Sequence, residues 1–290
     1  MTIIETAHGP VEYERSGSGT PVVVLHGSPG GVDAARMMAR ILPADRVESI
    51  LMSRPGYLHT PIESGRTPDE QADLVVALLD ALEIPAAGVF TWSGSGPLGY
   101  RLAARYPDRV SALVAFAALS KRHIEPRPGV ADVLMFQTGF GRPLLQFVAK
   151  YRPREVITGA FMNESSLRGA ALRAAVDQVM ADQDALRLLL DMVPTAFRDR
   201  TRRDGYDNDM AQFAVLDPLE LDRIAVPTLI VQGDADTDVT PGDSEFATHE
   251  IAGSQLLSIP DGSHFALFAH PESAAAQRRV VDFLFANAAR

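Results

Sequence analysis

The chain has no cysteine and no apolar segment long enough to cross a lipid bilayer. Without cysteine it can have no disulfide framework, no thiol nucleophile and no cysteine-based metal site. The most apolar run, Val110–Leu119, is far shorter than the roughly 20 residues that a membrane-spanning helix needs. The first residues, Met1–Pro10, carry Glu5 and lack the basic and apolar regions of a signal peptide. A soluble, cytoplasmic protein is therefore predicted.

Basic residues are also scarce relative to acidic ones. The 290 residues include 27 lysines and arginines against 37 aspartates and glutamates, and the formal net charge is −10. This balance argues against nucleic acid or an anionic membrane surface as a partner. The expected partner is a small-molecule substrate, and the composition leaves a homo-oligomer open. The length suits one large domain, or one domain that carries an insertion.

The beginning and the end of the chain show the pattern of a parallel sheet covered by helices. Largely apolar, β-branched segments alternate with segments of helical period, which predicts an α/β fold. A hairpin is predicted from Thr2–Thr6 and Val11–Arg15, followed by strands at Val22–Leu25, Val47–Met52, Gly88–Trp92, Ala112–Phe116, Pro227–Gln232 and Gln255–Ile259. Helices are predicted at Gly31–Leu42, Pro68–Leu82, Gly94–Tyr106 and from Pro271 to about Ala288.

The middle of the chain lacks this alternation. Between Lys121 and Leu216 the strand signal disappears and helical patterns dominate, as in Ser165–Ala181 and Asp182–Met192. The predicted organisation is therefore a core domain of residues 1–120 and 217–290, interrupted by a helical insertion of residues 121–216.

Ser93 is the strongest candidate for a chemical role. It ends the strand-like segment Gly88–Trp92 and leads directly into a helical pattern. A serine at the apex of a sharp strand-to-helix turn needs small residues two positions away on either side, and it lies beside helix N–H groups that stabilise negative charge. Thr91 and Ser95 occupy those positions, where G-x-S-x-G would have glycines. The alternative interpretation is a helix entry without chemistry, because Ser, Gly and Pro all favour helix starts.

Ser95 is the rival nucleophile. Its neighbours two positions away are Ser93 and Pro97, and the proline ring is too bulky for such a turn. Pro97 instead suits the first turn of a helix, where its missing N–H costs little. The spacing therefore favours Ser93.

A serine hydroxyl needs a base to accept its proton and an acid to orient that base. His264, in a turn just after the last predicted strand, is the expected base, since catalytic loops of a parallel sheet gather at its carboxyl edge. The other histidines outside the glycine-rich loop described next are expected to be surface or capping residues: His8, His59, His123, His249 and His270. Asp234, Asp236 and Asp238 all follow the strand Pro227–Gln232, and their alternation leaves the acid open among the three.

The negative charge of a tetrahedral intermediate also needs hydrogen-bond donors. One is expected to be the N–H of Gly94, directly after the nucleophile. The second is expected from the glycine-rich loop His26–Gly31, through the N–H of Ser28. Phosphate binding is the alternative for such a loop, but neither G-x-G-x-x-G nor Gly-Lys-Ser/Thr is present. His26 is expected to form structural hydrogen bonds.

Together these motifs resemble the α/β-hydrolase superfamily over nearly the whole chain. His26-Gly27-Ser28-Pro29-Gly30 is similar to its HGxPG oxyanion segment, and Ser53-Arg54-Pro55-Gly56-Tyr57 to its D-R-P-G-Y, with Ser53 in place of the aspartate. Thr91–Pro97 resembles the G-W-S-G-G-G-P turn. The resemblance implies an eight-stranded, mostly parallel sheet with strand two antiparallel and flanking helices. It also implies that Asp236 is the acid and His264 the base, and that residues 121–216 form a helical cap.

The resemblance implies a hydrolase that works without a cofactor. The chain also has no H-E-x-x-H and no tight histidine cluster, so no metal is expected. The expected activity is cleavage of a small carboxylic ester or lactone through an acyl-enzyme. The alternatives are an aminopeptidase resembling the proline iminopeptidases, a carbon–carbon bond hydrolase, a perhydrolase and a non-catalytic ligand-binding protein. An aminopeptidase would need carboxylates to hold a substrate ammonium, for which Glu155, Glu164 or Asp207-Asn208-Asp209 are candidates. A serine at position 93 argues against haloalkane dehalogenases and epoxide hydrolases, whose nucleophile is a carboxylate.

Apolar side chains of the insertion are expected to form part of the substrate pocket: Met135, Phe136, Phe140, Phe161, Met162, Met192 and Phe197.

Overall fold

A computed structural model of the chain describes residues 2–124, 136 and 141–288. Its strands form one sheet in the order β1-β2-β4-β3-β5-β6-β7-β8. The strands are β1 (Thr2–Thr6), β2 (Gly9–Gly17), β3 (Thr20–Leu25), β4 (Val47–Met52), β5 (Ala87–Trp92), β6 (Val110–Phe116), β7 (Thr228–Gly233) and β8 (Gln255–Ile259). β2 runs antiparallel to both of its neighbours, and all pairs from β4 through β8 are parallel. The predicted eight-stranded, mostly parallel sheet is confirmed.

Ten α-helices accompany the sheet within the described residues. They are α1 (Val32–Met38), α2 (Pro68–Ala81), α3 (Gly96–Arg105), α4 (Gly141–Tyr151), α5 (Pro153–Asn163), α6 (Gly169–Ala181), α7 (Gln183–Met192), α8 (Arg203–Ala214), α9 (Pro241–Glu250) and α10 (Ser273–Ala286). None of them is both long enough and apolar enough to cross a membrane. The predicted cytoplasmic location stays a prediction.

The central strands are apolar because both of their faces are buried. In β3, Val22 and Val24 belong to one core, which includes side chains of α1 and α10, whereas Val23 and Leu25 belong to the opposite core with α2 and α3. Successive side chains of a strand point to opposite faces, so near-continuous apolar runs are what a sheet with two covered faces requires.

Helices α4 to α8 all lie between β6 and β7, as predicted for the insertion, and no strand is found within the described part of residues 121–216. The predicted helices at Gly31–Leu42 and Gly94–Tyr106 are shorter as α-helices, Val32–Met38 and Gly96–Arg105, and the predicted start of a further helix is wrong. Helix α6 begins at Gly169 and not at Ser165, because Ser165 donates a hydrogen bond to the carbonyl of Phe161 and forms an isolated β-bridge with Asp236. The division of the chain into a core domain and a cap stays a prediction.

Candidate active site

Ser93 lies at the turn between β5 and α3. Its backbone has a φ of 57°, and it opens a single 3-10 turn, Ser93–Ser95, that leads into α3. A serine is seldom found in this left-handed region, which costs free energy and persists only when the surrounding structure enforces it. Its carbonyl accepts a hydrogen bond from the N–H of Leu119 at 3.1 Å. The turn therefore holds Ser93 in a strained conformation of the kind that the sequence predicted for it.

The two residues that depart from G-x-S-x-G hydrogen-bond to each other. Thr91 Oγ1 and Ser95 Oγ are 2.5 Å apart, and Ser95 Oγ also donates to the carbonyl of Leu25 at 2.8 Å and accepts from the N–H of Trp92 at 3.0 Å. Ser95 is fully buried. Its hydroxyl is thus engaged in fastening the turn to β3, and of these two serines it is Ser93 that lines the cavity.

His264 and Asp236 lie in contact beyond the carboxyl ends of β8 and β7. Nδ1 of His264 donates to Asp236 Oδ2 at 2.8 Å. The second oxygen, Asp236 Oδ1, accepts from the N–H groups of Asp238 at 2.9 Å and Val239 at 3.1 Å. Both side chains are almost fully buried. These contacts fix the carboxylate of Asp236 against one nitrogen of the imidazole.

Asp234 and Asp238 have different surroundings. Asp234 accepts from the N–H of Asp261 at 2.6 Å and so links the turn after β7 to the turn after β8. Asp238 lies at the cavity, with Oδ2 3.3 Å from His264 Nε2. No hydrogen bond joins Nε2 of His264 to the Ser93 hydroxyl within the described part of the chain, although both residues line one cavity. The sequence left Asp238 open as the acid, but it did not indicate that Asp238 would contact Nε2 of His264 while Asp236 binds Nδ1.

The imidazole of His264 therefore lies in a strongly negative environment. Burial lowers its pKa, but the charges of Asp236 and Asp238 outweigh burial and raise the pKa of His264 to about 10, with a further contribution from Glu164. The ring also stacks on Trp92, with centroids 5.3 Å apart. Trp92 directly precedes Ser93 in the chain, so this contact brings His264 into the wall of the cavity that Ser93 also lines.

The loop after β3 approaches the same turn. A Cβ atom on Gly94 would lie 2.3 Å from Ser28 Oγ, so only glycine fits at position 94. His26 Nε2 accepts the N–H of Arg54 at 3.0 Å, and its Nδ1 lies 2.7 Å from the carbonyl of Gly27. Burial, together with the charge of Arg54, lowers the pKa of His26 well below 6.5, so the ring is neutral and Nδ1 donates. His26 thus forms structural hydrogen bonds, as the sequence indicated.

The sequence did not predict the polar cluster that lies next to Ser28. Arg54 and Tyr57 belong to the motif Ser53–Tyr57, and both contact Asp209 of α8. Asp209 also accepts a hydrogen bond from the Ser28 hydroxyl. The sequence offered Asp209 as a candidate for binding an ammonium group, but its carboxylate is occupied by Arg54. That part of the aminopeptidase interpretation is wrong.

Ser53 stands where the related motif has an aspartate, and the structure supplies a carboxylate from elsewhere. Ser53 Oγ donates to Glu12 Oε2 at 2.6 Å and accepts the N–H of Val32 at 2.9 Å. Glu12 is buried and also contacts the ring of His59 at 2.9 Å. Glu12 on β2 thereby takes over an anchoring role near the start of α1.

Two cavities meet at Ser93 and share Ser28, Glu164 and Asp238 in their walls. The first, which we call the apolar cavity, has a volume of about 430 Å³ and also contacts His264. Most of its apolar lining comes from helices α4, α5 and α7 and from the 3-10 turn Val193–Ala196 of the insertion: Leu145, Val148, Val156, Ile157, Ala160, Leu189, Met192 and Val193. The second, of about 370 Å³, is lined by polar and apolar side chains that include His123, Arg198, Tyr206 and Phe213.

The predicted pocket side chains are only partly correct. Phe136 and Met192 line the apolar cavity. Phe161 and Phe197 are buried without lining it, and Met162 is 47% exposed, because it lies on the outer face of α5. Met135 and Phe140 lie outside the described residues.

The arrangement of a strained serine turn, a buried carboxylate–histidine pair and a loop at the carboxyl edge of a mostly parallel sheet defines a hydrolase. The sequence model of the family described as alpha/beta hydrolase fold matches residues 20–271. The chain therefore belongs to the α/β-hydrolase fold family, and it is a hydrolytic enzyme.

Individual relatives agree with this assignment. A solved structure of an alpha/beta hydrolase fold protein from Nakamurella multipartita is 48% identical, covers 98% of both chains and has a TM-score of 0.94. The uncharacterized hydrolase YcgS of Bacillus subtilis (strain 168) is 26% identical over 88% of each chain. A pimeloyl-(acyl-carrier protein) methyl ester esterase of Neisseria meningitidis is 26% identical over 78% of this chain and 65% of its own.

Proposed function

We propose that the protein is a serine hydrolase that cleaves small carboxylic esters or lactones through an acyl-enzyme. The observation that carries the proposal is the location of Ser93, at φ 57°, in the wall of the same cavity as His264, which is bound to Asp236. A hydroxyl on a strained turn beside an oriented imidazole is suited to nucleophilic attack on a carbonyl carbon.

In this mechanism Ser93 Oγ attacks the carbonyl carbon while His264 Nε2 accepts its proton. Asp236 holds the opposite nitrogen of the ring and stabilises the imidazolium that forms. The N–H groups of Ser28 and Gly94 bind the oxygen that becomes negative. The imidazolium then protonates the leaving alcohol, and a water molecule activated by neutral His264 hydrolyses the acyl-enzyme. Because Nε2 contacts Asp238 in this structure, it must exchange that carboxylate for the Ser93 hydroxyl before the first step.

The apolar cavity supports a small substrate with an apolar acyl or alcohol group. Its volume of about 430 Å³ lies in the range of small-molecule sites, roughly 300–1,000 Å³. Since most of its apolar lining comes from α4, α5 and α7, the insertion of residues 121–216 would act as a cap that provides the substrate pocket. The esterase relative from Neisseria meningitidis supports an ester bond as the target.

An aminopeptidase is the second candidate, and one observation favours it. Glu155, Glu164 and Asp238 all line the apolar cavity near Ser93. Carboxylates in a partly enclosed cavity favour a cationic group, such as a substrate ammonium. Two of the candidates named from the sequence, Glu155 and Glu164, therefore remain, whereas Asp209 is engaged with Arg54.

A comparison of substrates tests the proposal. Purified protein is assayed with p-nitrophenyl acetate and butyrate, with a simple lactone and with amino-acyl p-nitroanilides, alongside the Ser93→Ala variant. We expect turnover of the esters or the lactone that is lost in the variant. Higher kcat/KM on the anilides would establish the aminopeptidase instead. Absence of turnover on every substrate would overturn both.

A further inference from the structure

Asp209 is a buried carboxylate of the insertion that reaches the loop proposed to bind the oxyanion. It lies on α8, is 2% exposed, and its oxygens contact three groups of the core. Arg54 donates to Asp209 Oδ1 at 3.0 Å and to Oδ2 at 2.5 Å, and the Tyr57 hydroxyl donates to Oδ2 at 2.6 Å. The Ser28 hydroxyl donates to the same oxygen. The proposed catalytic residues Ser93, His264 and Asp236 take part in none of these contacts.

Helix α8 is held against the core by backbone contacts at and just before its N-terminal end. The N–H of Gly205 donates to the carbonyl of Gly56 at 3.0 Å, and the N–H of Leu58 donates to the carbonyl of Thr201 at 2.6 Å. Gly56 has a φ of +81°, and a Cβ atom there would lie 2.4 Å from the Gly205 nitrogen. Such close approach of the two backbones places Asp209 within reach of Arg54.

Arg54 connects this carboxylate to the whole loop. Besides Asp209, it donates to the carbonyl of His26 at 3.0 Å, to the carbonyl of Gly27 at 3.2 Å and to Ser28 Oγ at 2.8 Å. Ser28 Oγ therefore accepts from Arg54 and donates to Asp209. With both bonds in place, the side chain of Ser28 has a single orientation against Gly94.

The ion pair between Arg54 and Asp209 also keeps the net charge beside the proposed oxyanion site close to zero. A lone carboxylate at this position would repel a developing negative charge, but Asp209 is neutralised by a guanidinium that is 1% exposed. Removal of one member of a buried ion pair leaves the other charge uncompensated and is strongly destabilising. Loss of the Asp209 charge would therefore leave the guanidinium of Arg54 uncompensated, and the groups that still accept its hydrogen bonds include the carbonyls and the Ser28 hydroxyl of this same loop.

We infer that Asp209 is a positioning residue of the active site: through the Ser28 hydroxyl and Arg54 it fixes the loop so that the N–H of Ser28 faces the substrate carbonyl oxygen. The inference rests on the proposed serine-hydrolase function. It makes the insertion necessary for the chemical step as well as for substrate binding, because a core without α8 would lack the partner of Arg54 and of Ser28.

The test is a double-mutant cycle on Ser28→Ala and Asp209→Asn, with kcat and KM measured on the best ester substrate. Ser28→Ala keeps the N–H donor and removes only the hydroxyl link. A catalytic group displaced by about 1 Å can cost about 10²-fold in rate, so each single variant is expected to lower kcat by roughly 10- to 100-fold with little change in KM. Because both act on the same loop, the double variant should be little worse than Ser28→Ala alone.

Asp207→Asn is the matched control, since Asp207 is an exposed carboxylate on the same helix that lines neither cavity and so is not placed to bind a substrate ammonium there. It should leave kcat, KM and the melting temperature unchanged. If Asp209→Asn does not fold, Ser28→Ala and Tyr57→Phe carry the test, since both keep the ion pair. Ser28→Ala removes the two hydrogen bonds of the Ser28 hydroxyl, and Tyr57→Phe removes the one from Tyr57 to Asp209. A kcat loss with unchanged KM in these two variants supports the inference.

Two outcomes separate this inference from the proposed function. A wild-type protein that cleaves no ester or lactone overturns the proposed function. An active wild type combined with Asp209→Asn that has a lower melting temperature but an unchanged kcat overturns the positioning role alone, because Asp209 would then only stabilise the fold. Independent, additive kcat losses in the double variant would likewise overturn it.

Discussion

Asp238 Oδ2 lies 3.3 Å from Nε2 of His264, so this histidine contacts one carboxylate through each of its ring nitrogens. Asp236 binds Nδ1, as an orienting acid should, whereas Asp238 occupies the nitrogen that must face Ser93 in the proposed mechanism. Both carboxylates, together with Glu164, favour the protonated ring and raise the pKa of His264 to about 10 although burial lowers it. Protonation of His264 is therefore expected to limit activity at neutral pH.

The first prediction concerns the pH dependence of kcat/KM. A base must be neutral to accept a proton, so kcat/KM should rise with pH, with an apparent pKa above the ordinary histidine value of about 6.5. Asp238→Asn removes one of the charges that hold the proton and should shift this rise to lower pH. Initial rates measured between about pH 5 and about pH 10 in constant ionic strength give both midpoints.

Asp234→Asn is the control for this prediction, because Asp234 binds the N–H of Asp261 and does not contact the ring. Its pH midpoint should equal that of the wild type. A profile that is flat from about pH 5 to about 9, or a midpoint unmoved by Asp238→Asn, would contradict the prediction. The raised pKa of His264 also makes the stability of the fold depend on pH. The folded state holds this proton more tightly than the unfolded chain does. The stabilisation that His264 contributes is therefore complete below about pH 6.5 and is lost as pH rises toward 10.

The second prediction concerns the acid. Asp236→Asn should lower kcat by roughly 10³–10⁴-fold, because the imidazole loses the carboxylate that orients it and stabilises its charge. The amide oxygen can still accept the N–H groups of Asp238 and Val239, so the fold should persist, as circular dichroism would show. Asp234→Asn should reduce mainly the melting temperature. A near wild-type kcat in Asp236→Asn with a large loss in Asp238→Asn would assign the acid to Asp238.

The third prediction identifies the nucleophile. A fluorophosphonate probe should label Ser93 and no other serine. Ser93 lines the cavity, whereas the hydroxyl of Ser95 is buried and forms hydrogen bonds with Thr91 and Leu25. Peptide mass spectrometry locates the adduct, and Ser93→Ala should abolish it. Labelling that survives Ser93→Ala but disappears in Ser95→Ala would assign the reaction to Ser95.

The elements that surround Ser93 could be predicted from the sequence because they follow from local patterns. Apolar runs with two buried faces predicted the sheet, and the small residues around Ser93 predicted the sharp turn. The contact between His264 and Asp236 could be expected because both residues follow parallel strands and therefore meet at one edge of the sheet.

The contacts that the sequence did not predict depend on how separate elements meet. Asp234, Asp236 and Asp238 alternate, so in an extended segment their side chains would point the same way. The segment instead turns after β7, which directs Asp234 to the N–H of Asp261 and brings Asp236 and Asp238 to different nitrogens of His264. Likewise Asp209 could be distinguished from Asp207 only once α8 was packed against Gly56.

The fourth prediction is that activity does not depend on a bound metal. Within the described residues, no group of three or more His, Asp and Glu side chains is spaced to hold a metal ion, and the proposed mechanism takes its base and its oxyanion donors from the chain itself. Incubation with EDTA followed by removal of the chelator should leave kcat/KM unchanged. Activity that is lost to EDTA and restored by zinc would contradict the proposed mechanism.

The fifth prediction tests whether the apolar cavity selects the substrate. Met192 lines this cavity, and Met192→Ala enlarges it where an acyl or alcohol chain would lie. Each methylene that gains or loses contact in such a pocket changes kcat/KM by about 10- to 200-fold, so the variant should shift the preference among p-nitrophenyl esters toward longer acyl chains. The buried methionine also packs in the core of the insertion, and its truncation should cost about 2–5 kcal/mol of stability. The assay is therefore run well below the melting temperature.

Met162→Ala, on the exposed face of α5, is the matched control and should keep the wild-type preference. An unchanged chain-length profile in Met192→Ala, with the protein folded and active, would place the acyl chain in the second cavity, beside Arg198 and Tyr206.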